Sequence, residues 1–181
     1  MEAPPTTNVE KPVFIDETWT STNMTRSCGR ATRGKRCLGS APCGHWQTTT
    51  CVGALRHRKI SAPMVIEGPM DGDVFLEDVR SVLCPTLTPG DVVILDNLWA
   101  ATRLTGVEEA ILATGATVLY PPPYSPGLNP LEKLFSKLKA LLRKAAKRSV
   151  DTLWQEIGEL LNSISPDECT NYFQSCGYVN T

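Results

Sequence analysis

Brief apolar runs alternate with longer amphipathic stretches along this chain. Val13-Phe14-Ile15 is a short continuous run, and Val92-Val93-Ile94-Leu95 is fully apolar. Both read as buried strands, each followed by acid or amide residues: Asp16-Glu17 after the first and Asp96-Asn97 after the second. Trp46 to Leu55 is rich in β-formers, Met64-Val65-Ile66 predicts a third strand after a turn near Arg58–Lys59, and Thr117 to Tyr120 predicts another. Helical spacing takes over elsewhere. Asp71-Gly72-Asp73 opens a helix through about Cys84, and a second spans roughly Thr102 to Ala113, ended by Gly115. Leu131, Leu134, Phe135, Leu138, Leu141, Leu142 and Ala145 form one stripe of a helix from Asn129 to about Lys147. Val150 to Asn162 and Pro166 to about Gln174 predict two more. Strands first and α/β alternation afterwards give a mixed sheet with helices on both faces.

Composition narrows this little. The 181 residues fit one domain, with 41% hydrophobic and 20% charged residues. A net charge of −1 exerts no global pull on nucleic acid or membrane, so any such contact rests on local patches. No run approaches membrane-spanning length and the N-terminus carries no apolar signal core. Seven cysteines without a Cys-x-x-Cys pair fit free thiols in a reducing cytoplasm. Cys37, Cys43, His45 and Cys51 lie close together, but their spacing matches no zinc ribbon or finger.

Tyr120 to Glu132 carries the sharpest local signal. Pro121 to Pro123 hold the chain extended, Ser125-Pro126-Gly127 turns it, and Asn129-Pro130-Leu131-Glu132 starts a helix with Asn129 as N-cap. Glu132 has a plain explanation as a capping-box acid. The functional alternative requires other carboxylates at the same place, and the strand ends supply them in Asp16 and Asp96. Clustered carboxylates repel, so they need a counter-charge. Mg²⁺ suits them as a hard, oxygen-loving ion, and two such ions serve phosphodiester chemistry. Asp71 and Asp73 sit at a helix start, where acids suit the dipole, and are not counted as catalytic.

Val13-Phe-Ile-Asp-Glu-Thr-Trp19, Gly29-Arg-Ala-Thr-Arg-Gly34, Val93-Ile-Leu-Asp-Asn97 and Pro122 to Glu132 together resemble the catalytic domain of DDE transposases. The resemblance is to the bacterial insertion-sequence-630 family of the mariner-like superfamily, with Asp96 and Glu132 separated by 36 positions. It implies a ribonuclease H-like fold with a five-stranded mixed sheet and trailing C-terminal helices. It further implies a triad of Asp16, Asp96 and Glu132 holding two Mg²⁺ ions, with Mn²⁺ as substitute, and Glu17, Asn97 and Asn129 in support. DNA cleavage at transposon ends and strand transfer into target DNA would follow. Arg26, Arg30, Arg33, Lys35, Arg36, Lys133 and Lys137 are the expected phosphate contacts, joined by the basic face running on to Arg148. Trp99, beside the site, is expected to pack in the core.

The expected organisation is a flexible leader at 1–10, a catalytic domain at 11–148 and a helical extension at 149–181 packed on it. Expected partners are DNA, a second copy in a homodimer, and a separate helix-turn-helix subunit, since the chain begins almost at the first catalytic strand. No membrane partner is expected; the setting is bacterial cytoplasm, at the nucleoid. Two features depart from the family pattern. No histidine follows Asp96 in the stretch Leu98 to Thr102, and Gly127 stands where relatives carry aspartate. The alternative is an inactive, truncated remnant that keeps the fold and weak DNA binding.

Overall fold

A computed structural model of the chain describes residues 9–95, 106–122 and 125–178. Its centre is β1 (Pro12–Ser21), which pairs antiparallel with β2 (Thr48–Arg56). A two-residue turn at His57 and Arg58 returns β2 into β3 (Lys59–Glu67), again antiparallel. On the other side β1 pairs in parallel with β4 (Val92–Leu95), and β4 with β5 (Thr117–Leu119), giving the order β3-β2-β1-β4-β5. The mixed sheet follows from connection length. A tight hairpin joins β2 to β3 and a long excursion joins β1 to β2, whereas parallel pairing of strands needs a crossover connection.

The two faces are covered by different helices, and residue alternation along β1 decides which side chain meets which. Phe14 lies in one core with α3 (Pro130–Ala145), α4 (Val150–Asn162) and α5 (Pro166–Ser175), through Leu131, Leu134, Leu138, Leu153, Ile157 and Phe173. The ring of Phe173 meets Phe14 edge-on, with centroids 5.5 Å apart. Val13 and Ile15 face the opposite core, which is closed by α1 (Gly72–Asp78), its continuation Val79–Leu83, and α2 (Val107–Leu112). Each fully buried Leu or Phe contributes about 1.5–3 kcal/mol, so both helical layers are held mainly by apolar burial.

Several elements differ from the periodicity-based expectation. The first strand does not end at Asp16: backbone pairing with β2 carries it to Ser21, so Asp16 and Glu17 are mid-strand. What ends at Ile15 is the described pairing with β4, in which Ile15 faces Leu95. The Asp71-led helix keeps α geometry only to Asp78, then widens into a π turn and tightens into 3₁₀ at Cys84–Thr86, where Pro85 cannot supply an N–H. Asp71 caps it by accepting from Val74 N at 2.9 Å, its expected structural role. Gly115 ends α2 at φ +81°, and a side chain there would press on Pro89. Residues 102–105 of that expected helix lie outside the described residues. Val150–Asn162 coincides with its expectation, and the Pro166 helix ends one residue later than expected.

β4 is positioned by a buried charge pair just before it. Arg56 Nη2 donates to Asp91 Oδ2 at 2.8 Å and to Thr86 O at 2.9 Å, while Thr88 N also donates to that carboxylate. Burial alone would raise the Asp91 carboxyl, but the hydrogen bonds from Arg56 and Thr88 outweigh it and hold its pKa below the usual value.

Candidate active site

Asn129 joins the two ends of the candidate site. Its side-chain Oδ1 accepts from Leu131 N at 3.0 Å, which caps α3 as the sequence predicts. The other half of the amide, Nδ2, donates to Asp16 Oδ2 at 2.9 Å, across 113 residues of sequence. Asp16 is buried at 7% exposure, and its Oδ1 accepts from Glu17 N at 2.8 Å. One cap residue therefore both starts the helix and fixes the first-strand carboxylate. Pro130 at the first helical position and the 3₁₀ turn Pro126–Leu128 set the angle at which the chain arrives.

Glu132 is exposed in the first turn of α3. The capping-box explanation for it fails on geometry, because that motif needs the backbone N–H of the cap residue. Asn129 N instead donates to Pro126 O at 3.1 Å. The acid is thus exposed on the first turn and is not spent on capping the helix. Lys139 feels the charge of both Glu132 and Asp16. Burial lowers its pKa, Glu132 raises it, Arg143 lowers it and Asp16 raises it; the net displacement is downward. Its Nζ sits 4.8 Å from the centroid of the half-exposed Trp19 ring. Sequence reasoning had not singled out Lys139, one cation among many on α3. Seven residues after Glu132, it lies two helical turns along the same face, and that spacing was the available signal.

Asp96 and Asn97, and Trp99 beyond them, lie outside the described residues. Among the described residues no three metal-ligating side chains are gathered in one group. Asp16 and Glu132 offer carboxylate oxygens, the donor type a hard divalent ion takes, and the first is oriented by an amide. Glu17, expected in support of Asp16, has its carboxylate on the opposite face, where burial raises its pKa and Oε2 has no hydrogen-bond partner among the described residues. Its backbone N–H, not its carboxylate, serves Asp16.

The cationic residues divide into two groups. Arg26, Arg30, Arg33, Lys35 and Arg36 lie on an excursion between β1 and β2 in which residues 26–47 are all exposed. Lys133 and Lys137 are already engaged by α5: Lys133 Nζ donates to Ser175 O at 2.8 Å, and Lys137 pairs with Glu168. Arg148 is a strut, donating to Thr22 O at 3.0 Å and Met24 O at 2.8 Å, where the excursion begins. Cys51 points into the core while Cys37 and Cys43 are exposed, so the conceivable zinc quartet does not converge.

The family model for the DDE superfamily endonuclease matches residues 11–154. The chain belongs to that family. No curated protein matches it by sequence. Among solved structures it is similar to the Mos1 mariner paired-end complex with Mn, at 15% identity and a TM-score of 0.78, covering 95% of this chain and 54% of that one. The Mos1 paired-end complex with the left transposon end gives 15% identity and 0.75, covering 95% and 54%. The isolated catalytic domain of Mos1 mariner transposase gives 12% and 0.70, covering 95% and 79%. The chain thus spans about half the length of the Mos1 chains in the paired-end complexes. At such identity the likeness establishes the ribonuclease H-like fold. Among the described residues no helix is long and apolar enough to cross a membrane.

Proposed function

We propose that this chain is the catalytic domain of a DDE transposase of the insertion-sequence-630 type, cutting DNA at transposon ends and joining the freed 3′-hydroxyl to target DNA. The Asp16–Asn129 hydrogen bond carries the reading, because it ties the first acid to the segment that delivers Glu132. Asp96 follows Leu95 in the sequence, and Leu95 is the residue paired with Ile15, which precedes Asp16. Asp16, Asp96 and Glu132 are the proposed catalytic and metal-holding residues.

Mg²⁺ or Mn²⁺ held by these carboxylates supplies activation of the attacking oxygen and charge stabilisation of the leaving one. Around it, Asn129 orients Asp16, Trp19 and Lys139 border the acids, and the exposed arginines of the 26–36 segment offer phosphate contacts. Lys133 and Lys137 reach DNA only by giving up their α5 partners, which makes the 26–36 segment the better DNA surface. Residues 11–148 form the proposed catalytic unit, with 149–181 as a helical extension packed on α3. A homodimer, end recognition by a helix-turn-helix region in trans and a bacterial cytoplasmic setting complete the proposal.

The test is nicking of supercoiled plasmid by the purified chain with Mg²⁺ or Mn²⁺, beside Asp96→Asn and Glu132→Gln. Metal-dependent nicking lost in both variants supports the triad. Metal binding by calorimetry without nicking supports a domain that needs its recognition partner. Absence of both, in a folded chain, sinks the enzyme reading and leaves the inactive remnant.

A further inference from the structure

The acidic site leaves one group of reactive side chains unused: the exposed thiols of the β1–β2 excursion. Cys28, Cys37 and Cys43 are free and exposed there. Lys35 N donates to Thr32 O at 2.9 Å with Gly34 at φ +79°, the geometry of a type II turn that reverses the chain. The reversal brings Cys37 back onto Gly29. A Cβ built on Gly29 would collide with Cys37 Sγ, so that sulfur rests on the backbone of the residue next to Cys28. Disulfides join Cα atoms roughly 4.4–6.8 Å apart, and the Cys37 sulfur already lies against the residue that follows Cys28 in the chain.

We propose that Cys28 and Cys37 form a reversible intrachain disulfide that closes residues 28–37 into a ring and restrains the cationic segment. Four of the five basic residues of that segment, Arg30, Arg33, Lys35 and Arg36, lie between the two cysteines. Gly29 is what permits the approach, since any side chain there would displace the sulfur.

The oxidant is a small-molecule disulfide such as glutathione disulfide. The thiolate of Cys37 attacks one of its sulfurs, forming a mixed disulfide and releasing one glutathione thiolate. The thiolate of Cys28 then attacks the Cys37 sulfur and releases the second glutathione. Two cysteine thiols are oxidised, one glutathione disulfide becomes two glutathione thiols, and the protons lost by the cysteines balance those the glutathione thiolates take up. The remaining thiols do not compete equally. Burial raises the pKa of Cys51 to about 12 and also raises those of Cys84, Cys169 and Cys176.

The experiment equilibrates the full chain with glutathione buffers of rising disulfide fraction, then maps alkylated and disulfide-joined tryptic peptides by mass and fragmentation, because Cys37, Cys43 and Cys51 share the tryptic peptide 37–56. The expected product is a monomer that has lost two alkylatable thiols and carries a Cys28–Cys37 joined peptide. Cys43→Ser retains it; Cys28→Ser and Cys37→Ser abolish it. In the native chain, tryptic cleavage after Arg30 and Arg33 is expected to slow several-fold on oxidation. Both thiols remaining alkylatable, bridges made chiefly to Cys43 or between molecules, or cleavage rates unchanged by oxidation would overturn the proposal. Its bearing on DNA contact rests on the function proposed above, whereas the thiol mapping involves no DNA, so the two fail separately.

Discussion

Asp16 and Glu17 are adjacent acids on one strand, yet they inhabit different environments. On the α3 side, Asp16 is buried but hydrogen-bonded to Asn129 and to the Glu17 backbone, with Lys139 nearby. On the α1 side, Glu17 pairs across the sheet with Val52 in an apolar core, and burial alone raises its pKa. Asp78, on α1 in that same layer, is 2% exposed, and neither of its oxygens has a hydrogen-bond partner among the described residues. Burial pushes its carboxyl up to about 6. On one face of the sheet a buried carboxylate is satisfied by hydrogen bonds; on the other, burial goes uncompensated and is a cost to folding. The difference lies in the partners, because burial without hydrogen bonds penalises the charged form.

The largest test of this contrast is Asp16→Asn against Glu17→Gln. Under the proposed function, the first should remove most metal-dependent nicking, because it takes away a carboxylate proposed to hold the metal. The second should leave nicking nearly unchanged; equal losses would erase the distinction between the faces. Next comes Asn129→Ala, expected to weaken divalent-metal affinity about 10–100-fold in calorimetry and the fold by about 1 kcal/mol. Asn129→Ser separates the two effects, since serine caps the helix but cannot span to Asp16.

Asp78→Asn tests the other face by denaturant titration across pH. Below the ordinary value of 3.8 both folded and unfolded chains hold the proton. Between 3.8 and about 6 the folded chain holds more, so stability contributed by this group falls as pH rises through that window and then levels. The variant should remove that slope and stabilise the chain above pH 6 by on the order of 2 kcal/mol. Glu17→Gln should act in the same direction with a smaller effect, read as a higher denaturation midpoint at neutral pH.

Much of this was legible locally. The Asn129-Pro130 helix start, the Asp71 cap, the Gly115 stop and the apolar stripe of α3 depend on residues within about one helical turn, and the folded chain bears them out. The same local reading misjudged the end of β1, because a polar Asp16-to-Ser21 stretch becomes strand only when β2 lies beside it. It also assigned Lys133, Lys137 and Arg148 to one cationic surface, where the folded chain engages the first two with α5 and sets the third under Thr22 and Met24.

The sequence by itself determined most of the elements and their order, because periodicity, capping and proline geometry act over a few residues. Only the tertiary structure decided that Asn129 would hold Asp16 across 113 positions, that Glu132 would be left out of a capping box, and that Glu17 would face the apolar core. Those outcomes depend on which strands become neighbours and how a helix crosses them. Apolar burial fixes both, and it is summed over residues far apart in the chain.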